Sequence, residues 1–227
     1  MPSALGLSSL PSGSRAALHP VYEVIFSRRD VRRFRPDPIP KDVLHRLLTA
    51  AHHAPSVGFM QPWSFIVIRD PAVKGRVKLH FEMENAKAAR RFRKQKRQLY
   101  DSLKLEGIAE SPINLCVTCD PRRLGPHVLG RNTIRRTDLY STCCAVQNLW
   151  LAARAEGLGV GWVSILQNSF LRKILGIPSA IIPVAYLCLG YPQRFLPRPE
   201  LEEVGWAARF PLERLIYFDR WGRRKSS

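Results

Sequence analysis

Acidic side chains are scarce in this chain. Its 227 residues carry 18 Asp and Glu against 36 Lys and Arg, a formal charge of +18. Such a field favours anionic ligands, nucleic acid or anionic membrane surfaces, and says nothing about fold. Long apolar runs are also missing: none reaches 18 residues, so no bilayer-spanning helix is expected. The opening "MPSALGLSSLPSGSRAALHP" has no basic stretch leading into an apolar one, so it does not read as a secretory signal. Residues 1–16 are expected to form a flexible tail. The five cysteines are an odd set, and without a signal they suggest reduced thiols in a cytoplasmic protein. Zinc-like spacing is absent too. Cys116 and Cys119 form a lone pair inside "INLCVTC", an apolar, β-branched run that reads as a buried strand. Positions three apart on a strand face opposite sides, which is poor chelate geometry. His52 and His53 are adjacent in a helical pattern and point about 100° apart. No metal is expected. With no internal repeat and no long linker, residues 17–227 are expected to be one domain.

The remaining patterns are ordinary for a globular protein, with 45% apolar and 24% charged residues. "PKDVLHRLLTAAHHA" places Val43, Leu44, Leu47, Leu48 and Ala51 on one face of an amphipathic helix. Pro55, Gly58 and Pro62 break it, and "SFIVIRD" follows as a buried strand. Residues from about Phe81 to Leu105 predict one strongly basic helix, a solvated face or lid. "DLYSTCCAVQNLWLAARAEG" is apolar almost all round, so it predicts a central, buried helix stopped by Gly157. "VGWVSI" and "VAYLCLGY" are further strands. Helices and strands alternate without clean βαβ units, which predicts an α+β fold with a mixed sheet flanked by helices. The segment from about Pro197 is apolar in places and has no obvious partner within the chain.

One stretch poses a chemical question. "SRRDVRRF" sets Asp30 among Arg28, Arg29, Arg32 and Arg33. An acid there cancels part of what the arginines can attract. A carboxylate earns such a place either as an ion-pair partner or as a group acting on something the arginines hold.

This stretch, "AAHHAPSVGFMQPWSFIV" and "EGLGVGWVSI" together resemble the nitroreductase-like flavoprotein family, from about Leu18 to Trp221. Within it, "SLKLEGI", "CVTCD", "DLYST" and "AVQNLWLAARAEG" resemble the benzimidazole-forming branch, in the same order. The resemblance implies a domain-swapped homodimer that exchanges its C-terminal arm, with two flavin sites at the subunit interface. It implies that FMN is bound in its reduced form and consumed with O2 as co-substrate. The products would be 5,6-dimethylbenzimidazole, the lower ligand of vitamin B12, and erythrose 4-phosphate. The chain has no glycine fingerprint for a dinucleotide, so a separate flavin reductase would supply FMNH2.

By position, the resemblance assigns Arg28 and Arg32 to the FMN phosphate, together with Arg209 near the C-terminus. Arg29 and Val31 lie in the same motif. Arginine's planar fork of donors suits a phosphate monoester. A second basic residue, frequent in the family two places before Arg209, is Ala207 here, and Arg29 or Arg33 would have to compensate. Asp30 replaces the serine of ordinary nitroreductases and is the candidate proton-transfer group. Ser164 is the second catalytic candidate, a hydroxyl for the flavin edge. Ser56 and Gly58 would meet the ribityl or ring region, Leu105 would offer a backbone contact, and Gly159 and Gly161 would let backbone approach the ring. The family's Asn in the 56–62 turn is Phe59 here.

Two other readings stand beside this one. An NAD(P)H-dependent FMN nitroreductase would keep its FMN; Asp30 and the absence of Glu-Gly after Ser164 argue against it. A nucleic-acid-binding protein would explain the charge, but the basic helix interleaves only Phe92 and Tyr100, and no nucleic-acid motif is present.

Overall fold

The structure, a computed structural model, describes residues 19–224. The tail expected over 1–16 lies outside the described residues. Four strands form the sheet: β1 (Trp63–Ile68), β2 (Ile113–Cys119), β3 (Gly159–Val163) and β4 (Ile182–Gly190), in the order β1-β2-β4-β3. Every neighbouring pair is antiparallel, with Cys116 opposite both Ile66 and Tyr186. The sheet is therefore not mixed as the sequence suggested. Among the described residues its one parallel element is a single bridge, Asp30 to Val160, at the β3 edge.

Strand alternation builds two cores. Leu115, Val117, Leu187 and Leu189 face one side and pack against α2 (Lys41–His52) and α5 (Thr137–Ala155). Cys116, Tyr186 and Cys188 face the other, against α3 (Pro71–Ala89) and α6 (Asn168–Leu175). The apolar stripe of α2 seats Val43, Leu44, Leu47 and Ala51 in the first core. Cys116 and Cys119 are buried free thiols, and burial pushes them up to about 12 and about 11.

The expected basic helix over Phe81–Leu105 is two helices. After α3 the chain turns through Arg90–Arg93, and Lys94, at φ 49°, starts α4 (Lys94–Ser102). Four cations in five residues gain little from a shared helix, and the break lets Phe92 fold back. Its ring stacks on Tyr100 at 4.8 Å and meets Trp206 edge-on at 5.2 Å. The C-terminal segment thus finds a partner as far as Trp206, whose ring also lies 3.7 Å from Lys96 Nζ. Beyond it, Phe210, Leu212, Leu215 and Trp221 are exposed.

Helix α5 is also less enclosed than its composition suggests. Ala145, Val146 and Leu149 are buried, but Tyr140, Cys143, Cys144 and Gln147 form an open face that the described residues leave uncovered. The short helix α1 (Pro20–Ser27) packs beside it and leaves Val21, Tyr22, Ile25 and Phe26 exposed.

The glycines of β3 have a packing role. Val31 N–H donates to Val160 O at 2.9 Å, which lays residues 30–32 over the strand. A Cβ on Gly159 would come within 2.6 Å of the Val31 side chain, and one on Gly161 would overlap the Val31 carbonyl oxygen. Both Cβ positions are occupied by this chain's own motif. Gly161→Ala should therefore cost about 1–3 kcal/mol through overpacking. Urea denaturation of the two proteins measures it, and an unchanged midpoint would refute the packing role.

Candidate functional site

The fold separates the four arginines of "SRRDVRRF". Helix α1 ends at Ser27, whose carbonyl and hydroxyl oxygens accept from Arg154 Nε on α5 at 3.3 and 3.1 Å. Arg29 turns inward and serves as a clamp. Its guanidinium donates to Leu196 O at 3.1 Å, to Phe26 O and Arg28 O at 2.7 Å each, and to Pro197 O. Arg33 pairs with Glu200 at 3.2 Å on α7 (Glu200–Glu203). Both are engaged within the chain as it stands. Arg32 donates from both Nη atoms to Asp30, one bond measuring 2.8 Å. As placed here, it holds the acid rather than an anion.

Arg28 remains. No carboxylate among the described residues lies within ion-pair distance of it or of Arg209. Burial lowers the pKa of Arg28, and the like charge of Arg209 lowers it further, while Asp30 opposes. Arg209 acts on Arg29 in the same sense. Arg28 and Arg209, 181 positions apart in sequence, thus feel each other's charge, with Asp30 as the opposing charge on Arg28. This arrangement fits a bound phosphate monoester, whose charge would relieve the repulsion.

Asp30 is held from two directions. Besides Arg32, its carboxylate accepts the Trp162 N–H at 3.1 Å. Burial raises its pKa above the usual carboxylate range, against the opposing pull of Arg32, the Trp162 N–H and Arg28. The side chain still exposes 40% of its surface and lines a cavity of about 550 Å³ with Arg32, Gln193, Glu200 and Glu203. It is a carboxyl held in place by two donors and open to a ligand. Ser164 lies one residue past β3, exposed, and its hydroxyl bonds to nothing among the described residues. It is not a core serine satisfied by backbone.

The structure does not bring Ser56 and Gly58 to this group. Ser56 Oγ accepts the Gln61 N–H at 3.1 Å, and the next residue, Val57, donates to Ser141 Oγ at 3.0 Å. Gly58, at φ +53°, has no room for a Cβ against Val128 and Leu129. The turn therefore sits beside the first half of α5. Asp30 and Arg28 lie near Trp150, nine positions on, about 14 Å further along the helix. Leu105 packs into the second core. Its loop is pinned by Asn114 Nδ2 to Ile108 O at 3.0 Å and by the buried Lys74 Nζ to Ser111 O at 2.6 Å. Gly107 rests against Phe34 and the Arg32 carbonyl.

Sequence reasoning missed Trp150 and Arg154, which fix the motif from α5. A tryptophan on a helix expected to be buried needs a partner for its N–H, and that requirement was the available signal.

The nitroreductase family profile matches residues 25–191. The chain belongs to the nitroreductase family. Among curated members, a 5,6-dimethylbenzimidazole synthase of Rhodospirillum rubrum is 48% identical over 185 residues, covering 81% of this chain and 87% of that protein. One of Rhodobacter capsulatus is 39% identical over 202 residues, covering 89% and 94%. The nitroreductase fold recurs in an iodotyrosine deiodinase bound to FMN and 3-iodo-L-tyrosine (24% identity, 84% of this chain and 98% of that one, TM-score 0.65). It recurs also in the NADPH:FMN oxidoreductase of Vibrio harveyi complexed with NAD+ (16% identity, 91% and 80%, TM-score 0.67).

Proposed function

We propose that this nitroreductase-family chain is a 5,6-dimethylbenzimidazole synthase that consumes FMNH2 with O2 in cobalamin lower-ligand synthesis. The observation that carries it is the Asp30 carboxyl, fixed by Arg32 and the Trp162 N–H at the wall of an open cavity, with Arg28 acting on it. The relatives of that name, 48% and 39% identical, support the choice of reaction over a nicotinamide-dependent one.

Reduced FMN supplies the reactivity toward oxygen and the bonds that are broken. The chain's own groups do the rest. Arg28 and Arg209 hold the phosphate, and Arg32 joins them where a ligand draws it from Asp30. The Trp162 N–H and Arg32 fix the Asp30 carboxyl in one orientation, so its oxygens present or take up a proton at a defined place. Ser164 Oγ, unspent on backbone, is free to donate to the ring edge. Ser56, Gly58 and Leu105 remain contacts proposed for the ribityl and ring region, with Val31 and Gly161 forming the floor on which Asp30 rests.

The working unit is a homodimer of one domain, residues 17–227, in the cytoplasm, with an arm from about 197 exchanged between subunits. The open face of α5 and the exposed apolar arm support it. So does the separation of the 56–58 turn from Asp30 within one chain, since a second copy would offer its own turn. A distinct reductase delivers FMNH2.

The test is a product assay: protein, FMNH2 and O2, followed by mass detection of dimethylbenzimidazole. Intact FMN with steady NAD(P)H consumption would instead establish the nitroreductase activity. The phosphate assignment has its own expected outcome. FMN should bind more tightly than riboflavin, and added salt should weaken FMN alone. Equal affinities by titration would defeat it.

A further inference from the structure

Arg28 has an unusual position for a ligand-binding arginine. Its side chain is half-buried, the like charge of Arg209 acts on it against the pull of Asp30, and no carboxylate of the described residues lies within ion-pair distance of it. A long side chain under such repulsion would swing into solvent and lose its aim. What holds it is the face of Trp150, with the guanidinium carbon 4.9 Å from the ring centroid. The ring is itself fixed: its indole N–H donates to Arg29 O at 3.3 Å, in the segment that the Arg29 clamp ties to Leu196 and Pro197. Its other neighbour is Trp162, at 6.4 Å and 48°, whose backbone N–H holds Asp30.

We propose that Trp150 is a positioning residue that aims Arg28 at the ligand phosphate and so sets the preference for a phosphorylated flavin. This rests on the phosphate reading above. A guanidinium held over a tryptophan face needs no further ordering when the anion arrives, so the affinity it gives is not reduced by freezing its rotamers. The benefit reaches only ligands that carry the phosphate.

The experiment measures dissociation constants of oxidised FMN and of riboflavin, by quenching of flavin fluorescence, for wild type, Trp150→Leu, Trp150→Phe, Arg28→Ala and the Trp150→Leu/Arg28→Ala pair. Trp150→Leu should weaken FMN about 5- to 30-fold, the range of a partly desolvated cation–π contact, and leave riboflavin within about twofold. Trp150→Phe keeps a ring face and should retain most of the FMN preference. In the Arg28→Ala background, Trp150→Leu should change nothing further, because the two act through one contact. Equal losses for FMN and riboflavin, or additive losses in the double variant, would overturn the proposal. If Trp150→Leu does not fold, Trp150→Phe decides: a complete loss of FMN preference there overturns it, and retention supports it. A wild type that binds both flavins equally would overturn the phosphate reading itself. A preference kept in every Trp150 variant would overturn only the role of Trp150.

Discussion

Asp30→Asn should abolish dimethylbenzimidazole formation while leaving FMN bound. The substitution keeps the size of the side chain and an oxygen for the Trp162 N–H, but removes the ionisable carboxyl. It also removes a negative charge next to Arg28 and frees Arg32 from its pair, so FMN affinity should hold or rise slightly. A positioned proton-transfer group contributes about 10²–10⁴-fold, and the yield per FMNH2 oxidised should fall by that order. The reduced flavin would still be oxidised, returning hydrogen peroxide and intact FMN. Asp30→Ser should behave alike. Normal yield in the Asn variant would reduce Asp30 to an ion-pair partner, and loss of yield through loss of FMN would make it structural.

The raised carboxyl pKa also has a signature without ligand. Burial favours the protonated form in the folded state, so the folded protein binds that proton more tightly than the unfolded chain. The stability from this linkage is present at low pH. It is lost as pH rises from about 4, where an unfolded aspartate ionises, through the higher folded value. The Asn variant does not titrate. Wild type should therefore lose stability relative to it over that window, in paired denaturation curves at pH 4 and pH 7. A difference that moves the other way would mean that Arg32, not burial, dominates Asp30.

How much of this was legible in the sequence depended on the range of the interactions involved. Local periodicity placed α2 and its buried face, the β2 strand and the Gly157 stop, because each is set by neighbours within a turn or two. The motif at residues 27–34 could be read as a charge pattern, but not as four different fates. Arg29 is committed to carbonyls near residue 196, Arg33 to Glu200, Arg32 to Asp30, and only Arg28 is left toward an anion. Those fates are fixed by partners up to 168 positions away. Gly159 and Gly161 leave room that Val31 occupies, a contact the sequence could not place because its partner lies about 130 positions away. Helix α5 shows a second limit. Apolar residues all round predicted burial on every side, while the described chain leaves Tyr140, Cys143 and Cys144 open. The break at Lys94 lay beyond periodicity altogether, since it follows from Phe92 reaching Trp206 in the C-terminal segment.

Ending the chain after Arg209 should convert the protein to a monomer and sharply weaken flavin binding. The cut is chosen from the contacts. Removing everything from Pro197 would also strip the Pro197 carbonyl from the Arg29 clamp, and Trp206 from Phe92 and Lys96. Such a variant would confound folding with assembly. Ending after Arg209 keeps the clamp, the Trp206 anchor and both unpaired arginines. It removes Phe210, Leu212, Leu215 and Trp221, the last 88% exposed in the single chain. Burying each such side chain on a partner is worth about 1.5–3 kcal/mol before ordering costs, so four of them outweigh the loss of an ordinary interface contact. Analytical ultracentrifugation at micromolar concentration reads the assembly, and FMN titration reads the site. With Arg28 and Arg209 intact, a fall in both FMN and riboflavin affinity places part of the flavin site across the interface. A dimer with full FMN affinity would remove the exchanged arm from the structure of the working enzyme.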